Sequence, residues 1–179
     1  MAEFDLATQR FKTLLQGNVD AIYFNEKLYI GKREEVFVYN ESTGNFDLFY
    51  HLAGKNITLS CLHLDKNKNL WMGTTSNGIY CLSEDKSLSR PVTKGNITSI
   101  YEDSSNELWI GSWEEGLYRV KTDGNIENLR HNPMNTNSLC SNFVRSCCED
   151  NSGDLWIGTF NGLNRYDRET GKLSLIHIS

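Results

Sequence analysis

Glu149-Asp150-Asn151-Ser152-Gly153-Asp154-Leu155-Trp156-Ile157-Gly158-Thr159 decides the fold, because the chain writes it three times. The same frame reads Glu102-Asp103-Ser104-Ser105-Asn106-Glu107-Leu108-Trp109-Ile110-Gly111-Ser112. It reads again as Leu64-Asp65-Lys66-Asn67-Lys68-Asn69-Leu70-Trp71-Met72-Gly73-Thr74. In each copy the tryptophan follows the aspartate by six residues, and a short apolar run begins six residues before the aspartate, at Leu59, Ile97 and Val144. A divergent copy comes first: Val19-Asp20-Ala21-Ile22-Tyr23-Phe24-Asn25, then Leu28-Tyr29-Ile30-Gly31, with a shorter hairpin and tyrosine in place of tryptophan. Gly31, Gly73, Gly111 and Gly158 recur at intervals of 42, 38 and 47 residues.

Each copy goes on to a third apolar run: Gly78-Ile79-Tyr80-Cys81-Leu82, Gly116-Leu117-Tyr118-Arg119-Val120 and Gly162-Leu163-Asn164-Arg165-Tyr166. A polar turn and a fourth run follow. Asn40-Glu41-Ser42-Thr43-Gly44 and Asp167-Arg168-Glu169-Thr170-Gly171 are near-identical turns, opened by Asn or Asp and closed by glycine. Four short strands per repeat of about 40 residues predict an all-β chain of β-propeller blades. In the first strand, Val19, Leu59, Ile97 and Val144 form one apolar column, and Ile22, Leu62, Ile100 and Cys147 form another three positions on. An odd offset predicts opposite faces, so both faces are expected to be buried between neighbouring blades. The column Ala21, Cys61, Ser99 and Ser146 is small, as expected where innermost strands converge on an axis. The opening segment Phe4–Leu14 aligns with Tyr166–Leu175, the end of a repeat. The expected organisation is the last strand of a preceding blade (1–16), a divergent blade (17–54), and blades over 55–94, 95–139 with its linker, and 140–179. Together they form an open arc of a larger, seven-bladed propeller. Residues 173–179 resemble translated adapter sequence.

Composition narrows the function. The chain has 179 residues, 39% hydrophobic and 23% charged, and a formal net charge of −5. Without basic clusters it is a poor match for nucleic acid, whose affinity comes from neutralised phosphates. It has no apolar run of the roughly 18 residues that span a bilayer, and Met1-Ala2-Glu3-Phe4-Asp5 is no secretory leader. No membrane insertion by this chain is expected. Cys61, Cys81, Cys140, Cys147 and Cys148 contain no C-x-x-C pair and read as buried thiols.

The Asp-to-Trp frames, with the linker His131-Asn132-Pro133-Met134-Asn135-Thr136-Asn137-Ser138-Leu139-Cys140-Ser141-Asn142, resemble the two-component regulator propeller repeat. Cys140 is a small departure from that family's Ser-Leu-Ser. The resemblance implies an extracytoplasmic, periplasmic sensor region of a Bacteroidetes hybrid two-component regulator. There, propellers precede a membrane helix, a histidine kinase and a response regulator. The implied task is to sense glycan fragments, with the phosphorelay carried elsewhere in the parent protein. The implied partners are an oligosaccharide ligand, neighbouring blades or domains of the parent, and a second copy in a homodimer. Different classes are a propeller lyase of the streptogramin type and a pure protein-interaction ring.

No catalytic residue, cofactor or metal is expected. The Asp65 and Asp150 turns fail the calcium-loop pattern, since the twelfth positions are Ser76 and Asn161 rather than glutamate. They read as turns in which aspartate binds its own backbone. His51, His63, His131 and His177 do not recur in the repeat. Asn56-Ile57-Thr58 and Asn96-Ile97-Thr98 match a glycosylation pattern but read as turns entering strands. Tyr29, Gly31, Asp65, Trp71, Gly73, Asp103, Trp109, Gly111, Asp150, Trp156 and Gly158 are the structural signature. Candidate ligand contacts lie on loops between second and third strands: Lys32, Arg33, Thr75, Asn77, Trp113, Glu114, Glu115, Phe160 and Asn161. Trp113 and Phe160 occupy the same position after the repeat glycine, and aromatic faces beside carboxylates and amides suit sugar rings.

Overall fold

A computed structural model describes residues 2–5, 10–13, 20–24, 26–53, 57–92 and 94–176. Among these residues there are strands and turns but no helix. β1 (Ala2–Asp5) and β2 (Arg10–Thr13) form a two-stranded hairpin, so the preceding unit contributes two strands rather than one. Four antiparallel meanders follow. Blade one is β3 (Asp20–Phe24), β4 (Lys27–Lys32), β5 (Glu35–Asn40) and β6 (Asn45–His51). Blade two is β7 (Leu59–Leu64), β8 (Leu70–Thr74), β9 (Ile79–Leu82) and β10 (Leu88–Val92). Blade three is β11 (Ile97–Glu102), β12 (Leu108–Ser112), β13 (Leu117–Val120) and β14 (Ile126–Leu129). Blade four is β15 (Val144–Glu149), β16 (Leu155–Thr159), β17 (Gly162–Asp167) and β18 (Lys172–Ile176). Val19, Asn56, His177 and the divisions at 16/17 and 54/55 lie outside the described residues.

The blades stand face to face, with an apolar cluster in each seam. Between blades one and two lie Val36, Leu52, Leu59, Leu62, Met72 and Leu82. Between two and three lie Cys61, Trp71, Ile79, Ile97 and Ile110. Between three and four lie Trp109, Leu139, Val144, Leu155 and Tyr166. Every residue of β8 and of β12 is buried, which only a sheet covered on both sides can achieve.

The first strands reach this state by a route that simple alternation misses. Leu59 pairs with Thr74 and Cys61 with Gly73, so Ser60 is an extra residue, a β-bulge. Thr98 and Arg145 are its equivalents in blades three and four. The bulge shifts the in-out pattern by one. Leu59 and Leu62 therefore share a face and one cluster, as do Ile97 and Ile100, and Val144 and Cys147. The expectation of opposite faces for these two columns is corrected. The second buried face comes instead from residues such as Cys61, Trp71 and Cys81.

The small column has a local cause. Cys61, Ser99 and Ser146 pair directly across from Gly73, Gly111 and Gly158, and the next blade's first strand seats over Gly73 and Gly111. A Cβ on Gly73 would lie 2.5 Å from Cys61 Sγ and 2.8 Å from Ile97 Cγ2. On Gly111 it would lie 2.5 Å from Ser99 Oγ and 3.0 Å from Val144 Cγ1. The innermost strands do adjoin. Ser60 Oγ donates to Ile97 O at 2.6 Å, and Thr98 Oγ1 donates to Val144 O at 2.6 Å. Asp20 Oδ2 accepts from Leu62 N at 2.7 Å. Blade one differs: β3 has no bulge, and Ala21 pairs with Ile30.

The Asp–Trp spacing is one hydrogen-bonded device. Indole N–H groups of Trp71, Trp109 and Trp156 donate to Asp65, Asp103 and Asp150 at 2.8, 2.5 and 2.7 Å. The other carboxylate oxygen accepts turn amides, from Asn69 (2.8 Å), Glu107 (3.0 Å) and Asp154 (3.1 Å). Lys68, Asn106 and Gly153 take the left-handed position of those turns. The preceding glutamate serves the neighbouring blade: Glu102 accepts from Lys66 N at 3.2 Å, and Glu149 from Ser104 N at 2.8 Å. Arg168 of blade four also pairs with Asp103. Burial would raise the Asp103 carboxyl, but Arg168 and the Trp109 and Glu107 donors outweigh it and hold it below its ordinary value.

His63 is the exception in its column. The hydroxyl of the equivalent Tyr101 accepts from Glu149 N at 3.2 Å. His63 Nε2 is buried without a hydrogen bond, 3.7 Å from Glu102. Burial pushes its pKa below 6.5, against the pull of Glu102 and Asp65.

Two predictions follow from this packing. Gly73→Ala should destabilise by roughly 1–3 kcal/mol through overpacking. Gly158→Ala, whose new Cβ meets only Ser146 closer than 3.4 Å, should cost less; chemical denaturation compares them. His63 prefers to be neutral when folded, so stability should fall as pH drops from 6.5 toward its lower folded value. His63→Tyr should flatten that slope and gain about 1 kcal/mol from a Tyr101-like bond, read by denaturation between pH 7.5 and 5.

Candidate ligand-binding face

The loops between second and third strands are built alike. The hydroxyls of Thr74, Ser112 and Thr159 donate to Gly78 O (2.8 Å), Gly116 O (2.8 Å) and Gly162 O (3.0 Å). They also accept from the loop amides of Asn77 (2.9 Å), Glu115 (2.9 Å) and Asn161 (3.2 Å). The residue after each hydroxyl is tied to the segment entering its own blade. Thr75 N donates to Thr58 O, Trp113 N to Asn96 O and Phe160 N to Phe143 O, each at 2.9 Å. These ties place Thr75, Trp113 and Phe160 equivalently on one face, here called upper, and the Asp-Trp hairpins on the lower one.

Trp113 and Phe160 meet through Phe143. Trp113 and Phe143 stand edge to face, with centroids 5.5 Å apart and planes at 83°. Phe143 and Phe160 centroids are 6.1 Å apart. The Arg145 guanidinium lies over the Trp113 ring, 5.5 Å from its centroid. Phe160 is 67% exposed and Arg145 is exposed, so the group is a platform open to solvent.

The other candidates are distributed around it. Glu114 is exposed, and its carbonyl accepts from Arg130 at 3.3 Å. Glu115 is ion-paired with Arg130. Asn77 is held by backbone, its carbonyl accepting from Arg90 at 3.0 and 2.7 Å. Lys32 ends β4, and Arg33 takes a left-handed turn position while its carbonyl accepts from Leu59 N at 2.7 Å. Both belong to blade one, away from the aromatic group. Asn161 lines a separate cleft of about 280 Å³ with His131, Asn132, Ser138 and Leu175.

Phe143 and Arg145 were not among the residues anticipated from sequence. Both are departures from the repeat: Phe143 stands where the other blades have Thr58 and Asn96, and Arg145 where they have Ser60 and Thr98. Among the described residues, no group of three or more His, Cys, Asp or Glu is placed to hold a metal. All five cysteines are free thiols. Burial pushes Cys61 to about 12 and Cys81 to about 11, and raises Cys147. Cys148 corrects the expectation of burial: it is exposed on the outer side of blade four, in the column of His63 and Tyr101.

No curated protein matches the chain. Among solved structures, the extracellular domains of two hybrid two-component systems of Bacteroides thetaiotaomicron share its fold. One has a TM-score of 0.76 at 19% identity over 99% of this chain and 25% of its own. The other has a TM-score of 0.71 at 24% identity over 92% and 23%. The chain thus spans about a quarter of those domains. A catalytically inactive virginiamycin B lyase from Staphylococcus aureus has a TM-score of 0.69 at 17% identity over 89% and 55%. The two-component regulator propeller model matches residues 51–76, 91–114 and 138–161, each running from the approach to a blade through its Asp-Trp hairpin or to the loop beyond it. The matched segments lead into blades two, three and four, so these three blades carry the two-component regulator propeller repeat.

Proposed function

We propose that this chain is part of the extracytoplasmic sensor propeller of a hybrid two-component regulator, and that its upper face binds glycan-derived oligosaccharides. The observation that carries the reading is the platform of Trp113, Phe143 and Phe160, built across two blades on loops held rigid by hydroxyl and backbone bonds. Aromatic faces take the C–H surfaces of sugar rings while nearby polar groups bond the hydroxyls. Among the described residues, no helix is long and apolar enough to cross a membrane. Kinase chemistry and the phosphorelay therefore belong to other parts of the parent protein in this reading. Ligand would act by changing how propellers dock in a dimer.

The outer face of blade four supports a role in association. Trp156 is half-buried there, whereas Trp71 and Trp109, covered by a following blade, are 8% and 0% exposed. That face suits a further blade or a second copy.

A thermal-shift screen of the 179-residue chain with neutral and acidic oligosaccharides tests the ligand reading. A bound sugar at about 100 times its Kd should stabilise by about 2.7 kcal/mol. Phe160→Ala should abolish the shift without lowering the unliganded melting temperature. Turnover of a cyclic depsipeptide antibiotic with stoichiometric bound metal would instead favour the lyase class. In sedimentation the chain should self-associate, and a clean monomer would count against the association surface.

A further inference from the structure

The bulge residue of the first strand is committed to the neighbouring blade in two of three bulged blades. Ser60 and Thr98 each give a hydroxyl to the next blade's backbone, and Asp20 occupies the corresponding place in blade one. No blade follows blade four among the described residues, so Arg145 has no such acceptor. Its guanidinium turns back across the seam to lie over Trp113 of blade three, and it has no ion pair among the described residues. Of the two carboxylates on the Trp113 loop, Glu115 is ion-paired with Arg130, and no ion pair joins Arg145 to the exposed Glu114.

The chain carries 23 acidic against 18 basic residues. On the upper face Lys32, Arg33, Lys94, Arg130 and Arg145 stand among the carboxylates Glu34, Glu35, Glu114 and Glu115. The aspartates and glutamates concentrate on the lower face, in the hairpins around Asp65, Asp103, Asp150 and Asp167.

We propose that the platform selects an acidic sugar, whose ring stacks on Phe160 and Trp113 while its carboxylate or sulfate group binds Arg145. This deepens, and rests on, the reading of the upper face as a sugar platform. Arg145 offers planar paired donors that fit either anion, and stacking on Trp113 preorganises it. A neutral sugar would leave that guanidinium unmatched.

Calorimetric titration of the 179-residue chain with three probes tests this: a galacturonate trisaccharide, its methyl-esterified neutral form and a sulfated chondroitin disaccharide. The acid should bind at least tenfold more tightly than the ester. Arg145→Gln, at an exposed position, should remove that preference, and the affinity for the acid should fall with added salt. Binding of the sulfated probe alone, lost in Arg145→Gln, would assign the site to sulfate esters and support the shared chemistry. Equal binding of acid and ester, lost only in Phe160→Ala, would overturn the acidic selectivity and leave the platform standing. Acid binding unchanged in both variants, or no binding of any probe, would overturn the proposal together with the platform.

Discussion

The close contact between a glycine in the second strand and the first strand of the next blade governs how the blades stack. Gly73 and Gly111 leave no room for a Cβ, because Ile97 and Val144 reach over them from the neighbouring sheet. That approach lets the innermost strands exchange hydrogen bonds through Ser60 and Thr98. It also sets the spacing at which Trp71 and Trp109 become covered. Apolar burial between such sheets is the main favourable term, and it grows with every blade added.

Polar chemistry is organised around the same seams. Each hairpin aspartate satisfies its own turn and its own indole, while in blades three and four the glutamate before it satisfies the turn of the preceding blade. One dipeptide thereby serves both the local turn and the tertiary seam. Between blades three and four, Arg168, Asp103, Glu149 and Glu107 extend this into a charge cluster in which no buried carboxylate lacks a donor. A buried charge is tolerated only when so compensated. The polar groups of the lower face are therefore committed to structure.

The repeat made most of the fold legible from residues alone. Trp71, Trp109 and Trp156 at fixed distances from their aspartates mark hairpins, because both the turn and the indole bond depend on separations of a few residues. Two-sided burial was also legible, though through faulty parity: a bulge at Ser60, Thr98 or Arg145 leaves no mark in a hydrophobic pattern, since it is a property of pairing between strands. The Asp103–Arg168 pair spans 65 residues of sequence and has no counterpart among the described residues of blades one and two, so no period announced it.

The candidate site divides along the same line. Trp113 and Phe160 were readable as aromatic residues after a repeat glycine, because strand order alone fixes which loops share an end of the sheets. That Phe143 stands between them, and that Arg145 lies over Trp113, depends on two blades meeting at a particular distance and angle. Covalent order fixes strands, turns and the face on which loops emerge, since those follow from short-range sterics and hydrogen bonds. Which side chains touch across a seam follows from packing, where residues some thirty positions apart compete for one space.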